Sequence, residues 1–139
     1  MKKKILITGG TGFQGSNLTK SLLKEGYDVV ILNTPSSKNE TNIKRFNLQD
    51  AKIIWSSITQ KHMVELAMED VDLVIHTAAK IHADDSIKHP TKYFETNVMG
   101  TNNVLEVARE FDIPVMHIST CEVYGFQDDD LLETSPLMP

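Results

Sequence analysis

Residues 4–15 read K-I-L-I-T-G-G-T-G-F-Q-G, a short apolar run followed directly by glycines at a spacing of three. A strand, a glycine-rich turn and an amphipathic helix in this order form the phosphate-binding turn of dinucleotide-binding folds. Gly9 permits the tight turn, Gly12 lets a pyrophosphate approach the backbone, and Gly15 lets the helix pack on the strand. The residues assigned to this site are Gly9, Gly12, Phe13, Gln14 and Gly15. A plain glycine-rich turn is the alternative, and the flanking strand and helix patterns favour the binding site.

The rest of the chain alternates apolar, β-branched runs with segments of helical period, which is typical of a parallel sheet covered on both faces. The strands are predicted at Lys4–Thr8, Asp28–Leu32, Ala51–Trp55, Asp72–His76 and Pro114–Ser119. The helices are predicted at Gly12–Glu25, Glu40–Leu48, Gln60–Glu69 and Thr91–Phe111, the first with Phe13, Leu18, Leu22 and Leu23 directed inward. Together they predict one α/β domain over residues 1–139, a doubly wound, Rossmann-like parallel sheet in the order 3-2-1-4-5.

Composition narrows the possible partners. The 139 residues carry a net charge of −5, and 40% of them are hydrophobic. An acidic chain is poorly suited to nucleic acid, whose phosphates need a basic face. No apolar stretch approaches the roughly 20 residues of a membrane span. The single cysteine, Cys121, excludes an internal disulfide and a multi-cysteine metal site, so we expect no metal. Because the sequence shows no targeting signal, we expect a cytoplasmic location.

Two further stretches identify a family. The spacing G-x-x-G-x-x-G after Thr8 resembles the short-chain dehydrogenase/reductase superfamily, and G-G-T-G-F-Q-G resembles its extended branch. Residues 76–90, H-T-A-A-K-I-H-A-D-D-S-I-K-H-P, and residues 94–101, F-E-T-N-V-M-G-T, are similar to the corresponding segments of nucleotide-sugar epimerases and dehydratases. The resemblance covers nearly every residue present, which is less than half of a typical member. It implies an NAD-dependent enzyme acting on a nucleotide sugar.

The resemblance implies how the cofactor is held. Relatives carry an acidic residue at the end of strand two, where this chain has Asn33. A neutral amide does not repel a 2′-phosphate, and Lys38 and Arg45 are near enough in sequence to meet one. NAD is nevertheless favoured over NADP, because both cations are equally explained as surface charges. The other residues assigned to the cofactor are Ser57, Ile58, Ala78, Ala79, Asn97 and Ser119, and those assigned to the sugar pocket are His82, Asp84, Ser86 and Cys121.

The resemblance also implies the catalytic groups. Thr120 occupies the place of the family's catalytic hydroxyl, which would hold the sugar hydroxyl over the nicotinamide. Glu122 matches the glutamate with which dehydratases remove water from a 4-keto sugar. Cys121 stands where many dehydratases carry aspartate, and a thiol is a poor substitute for a carboxylic acid. A small, buried, inert cysteine is the alternative for that position.

The superfamily's base, a Tyr followed four residues later by Lys, is missing from this sequence. The tyrosines are followed at that distance by Ile31, Asn97 and Asp128. We therefore interpret the chain as the amino-terminal piece of an epimerase or dehydratase, inactive alone. A non-catalytic dinucleotide-binding module or sensor is the alternative.

The long helix carries more apolar surface than one sheet can cover. A stripe of Phe94, Val98, Thr101, Leu105 and Ala108 is predicted to face the sheet, with Val104, Val107 and Phe111 extending the apolar surface beyond it. In the family the corresponding helix pairs across a two-fold axis. The resemblance thus implies a homodimer for the intact protein.

Overall fold

The computed structural model describes residues 2–36, 39–126 and 130–139. They form a five-stranded parallel sheet of β1 (Lys4–Thr8), β2 (Asp28–Asn33), β3 (Lys52–Trp55), β4 (Leu73–His76) and β5 (Val115–His117). The strand order is β3-β2-β1-β4-β5, which confirms the predicted doubly wound topology. Since the order reverses between β1 and β4, the crevice of the sheet opens at their carboxyl ends.

The helices are α1 (Phe13–Lys24), α2 (Asn39–Phe46), α3 (Lys61–Ala67), α4 (Ala83–Lys88), α5 (Pro90–Phe94) and α6 (Thr101–Glu110). A π-helical turn, Glu95–Gly100, joins α5 to α6, so the predicted long helix is one continuous rod with a wide turn inside it. The helix α4 was not predicted, because six residues are too few to show a helical period. Within the described ranges, no helix combines the length and apolarity needed to cross a bilayer.

The sheet is buried on both faces, because alternate side chains of each strand point to opposite sides. One face packs against α3 and α6 through Leu6, Val30, Leu32, Val64, Met68, Val74, Val104 and Val107. The other packs against α1 and α2 through Ile5, Ile7, Val29, Ile31, Ile75 and the partly buried Leu18, Leu22, Leu23, Ile43 and Phe46. Leu18, Leu22 and Leu23 thus face inward as predicted.

The prediction for Phe13 is wrong, since its side chain is 84% exposed. The buried residues of α1 are the small Gly15, Ser16 and Thr19, which allow the helix to approach the sheet closely. Phe13 is the first residue of α1 and lines an open apolar hollow with Leu18 and Ile118.

The face assigned to α6 is also wrong in part. The buried residues are Val104, Val107 and Ala108, whereas Leu105 is exposed, as are Phe94 and Val98 in the segments before α6. The apolar arc of the helix includes both the buried and the exposed residues. The sequence therefore predicted how wide the arc is but not which part of it faces the sheet. Gly100 packs closely on Ile58, because a Cβ there would lie 2.6 Å from Cγ1 of Ile58.

Candidate functional site

The turn after β1 depends on glycine at its first position. Gly9 has a φ of +74°, and a Cβ on it would lie 2.9 Å from Cα of Ala78. Its N–H donates to the carbonyl of Leu32 and its carbonyl accepts from the N–H of Gly12, each at 2.9 Å. The turn is thereby tied to β2 and to the loop after β4, which brings three strand ends together.

Gly12 and Gly15 serve different purposes. A Cβ on Gly15 would lie 2.2 Å from the Gly9 carbonyl oxygen, so α1 packs on the turn at this point. Gly12 is exposed, and a Cβ on it would meet only that same oxygen, at 3.1 Å. The first intrahelical hydrogen bond is donated by Ser16 to the Gly12 carbonyl at 2.9 Å. The amides of Phe13, Gln14 and Gly15 precede it, so they belong to the unpaired first turn, which suits an anion.

A cleft of about 390 Å³ opens beside this turn at the carboxyl ends of the strands. It is lined by Gly9, Gly12, Leu32, Asn33, Thr34, Asn39, Ser56, Ser57, Ile58, Thr77, Ala78, Ala79, Lys80 and Thr96. Seven of the twelve residues predicted for the cofactor are therefore brought together here: Gly9, Gly12, Asn33, Ser57, Ile58, Ala78 and Ala79. The volume lies within the range of ordinary ligand pockets.

The β2 end of the cleft is a network of neutral side chains. The Asn33 amide nitrogen donates to the Thr34 carbonyl at 2.9 Å, and the Thr11 N–H donates to the Asn33 Oδ1 at 3.4 Å. Asn39 is only 6% exposed; it donates to the Thr34 carbonyl at 2.8 Å and accepts from the Thr11 hydroxyl at 3.2 Å. Sequence reasoning missed Thr11 and Asn39. The polar residue at the start of α2 was the available signal for Asn39.

Of the two cations considered for a 2′-phosphate, the structure describes Arg45 alone. Arg45 lies in the last turn of α2, with its guanidinium 5.5 Å from the centre of the Phe46 ring. Lys38 lies outside the described residues. The described site therefore gives no support to a phosphate-binding role for Arg45.

Asn97 holds the loop after β4 in place. Its Oδ1 accepts from the Lys80 N–H at 2.8 Å, and its Nδ2 donates to the Lys80 carbonyl at 2.9 Å. Asn97 sits in the π-helical turn, a feature often found at functional sites. The amide thus fixes residues that line both the cleft and the pocket next to it.

A second pocket, of about 570 Å³, lies on the other side of residues 77–80. It is lined by Gln14, His76, Thr77, Ala78, Ala79, Lys80, Ile81, Asn97, Thr101, His117, Ile118, Ser119, Thr120, Glu122 and Val123. Gln14, Asn97, Ser119, Thr120 and Glu122 of the predicted site meet here. The Thr120 Oγ1 accepts from the Glu122 N–H at 3.3 Å and caps the 3₁₀ turn Cys121–Tyr124.

The residues predicted for the sugar pocket are placed less centrally. His82 precedes α4, while Asp84 and Ser86 lie within it, and none of the three lines either pocket. Cys121 is exposed and is not among the lining residues, so the expectation of a buried cysteine is wrong. In the described part of the chain, no three His, Cys, Asp or Glu residues are grouped to hold a metal ion.

His76 connects β1 to α6 through hydrogen bonds of its ring. Its Nδ1 lies 2.5 Å from the Thr8 Oγ1, its Nε2 lies 3.0 Å from the Thr101 Oγ1, and its ring centre is 5.3 Å from that of His117. The Thr8 Oγ1 also accepts from the Ala78 N–H at 3.3 Å, which favours donation from the Thr8 hydroxyl to Nδ1. Burial, and to a smaller extent His117, lowers the pKa of His76 to about 4. The ring is therefore neutral at pH 7 and links Thr101 to the loop after β4.

Solved structures share this architecture. A UDP-glucose-4-epimerase from Stenotrophomonas maltophila with bound NAD superposes with a TM-score of 0.88 at 26% identity, over 98% of this chain and 43% of that one. A dTDP-glucose 4,6-dehydratase from Streptomyces venezuelae, also solved with NAD, gives 0.86 at 32% identity, over 98% and 45%.

Sequence comparison agrees. The dTDP-glucose 4,6-dehydratase of Mycobacterium tuberculosis is 34% identical over 145 aligned positions, which cover 98% of this chain and 43% of that protein. The chain thus spans less than half the length of the relatives it matches. The model of the NAD dependent epimerase/dehydratase family matches residues 5–139. The chain belongs to the NAD-dependent epimerase/dehydratase family.

Proposed function

We propose that this chain is the dinucleotide-binding part of an NAD-dependent nucleotide-sugar 4-epimerase or 4,6-dehydratase. The observation that carries the proposal is the pair of pockets that meet at residues 77–80 beside the first turn of α1. Gly12 lines one pocket and Gln14 lines the other, so the unpaired amides of α1 lie between them. A dinucleotide fits this arrangement, because it has one nucleoside on each side of a pyrophosphate.

The residues present fit such a cofactor. Gly12 leaves the approach to the backbone open, where a side chain would fill it. The cleft beside β2 and β3 offers Asn33, Ser57 and the apolar Ile58 to an adenosine, while the second pocket offers Ser119 and Asn97 to the nicotinamide end. When bound, the nicotinamide ring would supply a reversible hydride acceptor.

Thr120 and Glu122 are proposed to act on the sugar. The Thr120 hydroxyl accepts from the Glu122 N–H, which leaves its own proton free to donate to a sugar oxygen in the pocket. The Glu122 carboxylate lines the same pocket, where it can take a proton in the dehydratase route. One glutamate does not decide between epimerisation and dehydration, so the proposal stays at the level of the class.

The base is proposed to lie in the rest of the protein. Among the chain's three tyrosines, none has Lys four residues later, and Tyr93 hydrogen-bonds to the exposed Asp85 at 3.1 Å. The 139-residue chain should therefore bind NAD and leave UDP-glucose, dTDP-glucose and GDP-mannose unchanged. Steady formation of a keto sugar or an epimer by the purified chain would contradict the proposal that the base lies outside these residues.

The intact protein is proposed to be a homodimer. Phe94, Val98 and Leu105, on the segment from α5 to α6, are 57%, 49% and 47% exposed, and large apolar side chains exposed together on one helical segment favour an interface. Light scattering on the 139-residue chain and on a Leu105→Lys variant tests this surface. If the wild-type chain self-associates and Leu105→Lys does not, this surface is supported as the interface. If both chains are dimers of the same mass, this face is excluded as the interface.

The second candidate is a dinucleotide-binding module without catalysis, favoured by the complete cleft and the missing base. The reading frame beyond residue 139 separates the two. A Tyr-x-x-x-Lys within about ten residues supports the enzyme, and a stop codon supports the module.

A further inference from the structure

The carboxyl end of β2 carries an amide where the cofactor's adenosine ribose would lie. In dinucleotide-binding sheets an acidic residue here accepts from the ribose 2′-hydroxyl and repels a 2′-phosphate. We infer that this cleft admits a 2′-phosphorylated adenosine, so that the protein binds NADP as well as NAD with little preference. The inference rests on the proposed dinucleotide site.

The neutral amide is built into the loop. The Asn33 Nδ2 donates to the Thr34 carbonyl at 2.9 Å, a hydrogen bond that a carboxylate cannot make. The same carbonyl also accepts from the Asn39 Nδ2 at 2.8 Å. An aspartate in the same orientation would bring one carboxylate oxygen to the Thr34 carbonyl oxygen, so this hydrogen bond is specific to the amide.

No acidic side chain lines this cleft in the part of the chain that the structure describes. Of the described residues that line the cleft, Lys80 alone is charged, and it is a cation. Glu40, in the first turn of α2, is exposed and does not line the cleft. The residues packed around Asn33 are neutral: Thr11 and Asn39 are buried and hydrogen-bonded to one another at 3.2 Å. A phosphate dianion beside Asn33 would therefore meet neutral dipoles, with no carboxylate among the described lining residues to repel it.

Binding of NAD is retained in this arrangement. The Asn33 Oδ1 accepts one long bond, 3.4 Å from the Thr11 nitrogen, and its other lone pair can accept from a ribose hydroxyl. The site thus lacks the group that rejects NADP while it keeps an acceptor for NAD. Removal of a repulsive group broadens specificity in this way without a new attractive contact.

Calorimetric titration of the 139-residue chain with NAD and NADP tests the inference. We expect the two dissociation constants to lie within about tenfold of one another. The Asn33→Asp variant should weaken NADP by at least about tenfold relative to NAD, and Asn33→Ala should keep the ratio of the wild type. Asn47→Asp is the matched control, because it adds the same charge at an exposed position after α2 whose positive φ of 55° aspartate tolerates.

Four outcomes would overturn the inference. Discrimination against NADP by more than about tenfold in the wild type, or an unchanged ratio in Asn33→Asp, refutes it and leaves the NAD site standing. Failure of the wild type to bind either dinucleotide refutes the proposed site together with the inference. Competition by 2′,5′-ADP and 5′-AMP isolates the adenosine end, and exclusion of 2′,5′-ADP alone would again refute the inference.

Discussion

Replacing Gly15 by alanine should destabilise the fold, whereas the same change at Gly12 should not. The new Cβ at position 15 would lie 2.2 Å from the Gly9 oxygen, 2.7 Å from the Gly10 Cα and 2.9 Å from the Gly9 carbonyl carbon. All three are backbone atoms of the turn, so no side chain can rotate away. At position 12 the Cβ would meet one atom, the Gly9 oxygen at 3.1 Å, on an otherwise open side.

The magnitude follows from this overlap. Overpacking costs about 1–3 kcal/mol, and a contact between backbone atoms belongs at the upper end. Alanine recovers up to about 1 kcal/mol through its helix propensity, which leaves a net loss of about 2 kcal/mol. For a chain of this size, that lowers Tm by about 7 °C.

Thermal unfolding followed by circular dichroism measures the difference, with Gly12→Ala as the matched control. We expect the Tm of Gly12→Ala within about 2 °C of the wild type. A larger side chain, in Gly12→Val, should leave the fold intact and weaken NAD by more than about tenfold. An unchanged Tm for Gly15→Ala, or an equal loss in both alanine variants, would refute the division of roles between the glycines.

Two other changes have defined outcomes. Because the buried His76 has its pKa lowered to about 4, the unfolded chain takes up a proton first as the pH falls from 6.5. The free energy of unfolding, measured by denaturant titration, should therefore fall by about 3 kcal/mol between pH 6.5 and pH 4. The fall should be smaller in His76→Asn and unchanged in the control His62→Asn, whose histidine is exposed. An equal fall in the wild type and in His76→Asn would contradict this assignment. Gly125→Ala would place a Cβ 2.1 Å from the Met138 carbonyl oxygen, and Gly26→Ala meets nothing within 4 Å, although both have positive φ. Hydrogen exchange at the Met138 amide, which donates to Val123, should accelerate only in Gly125→Ala; acceleration in both variants would contradict the contact.

The strand order and the phosphate-binding turn could be predicted because their signals are local. Apolar runs, glycine spacing and helix period are read over a few residues, and parallel strands joined by helices leave few topologies. The pairs that join distant strands were not accessible in this way. His76 meets Thr8 and Thr101, and Asn39 meets Thr11, only because the sheet places them side by side.

The orientation of amphipathic helices was also beyond the sequence. The apolar arc of α6 is wider than the surface the sheet can cover, so periodicity alone allowed either edge to be buried. In the structure Gly100, the last residue of the π-helical turn, packs closely on Ile58, and Val104, Val107 and Ala108 are the buried residues of α6. The prediction that Phe13 faces inward was wrong for a related reason. The apolar character of a residue does not show whether it lies beyond the end of the sheet.

We propose that a dinucleotide lies across the first turn of α1. A ¹H–¹⁵N NMR titration of the 15.6 kDa chain with NAD tests it most directly. We expect saturable shifts of the backbone amides of Gly12, Phe13 and Gln14 and of the Asn33 side-chain amide, with Gly26 unaffected. Saturable binding that leaves the α1 amides unmoved, or no binding at millimolar NAD, would contradict it.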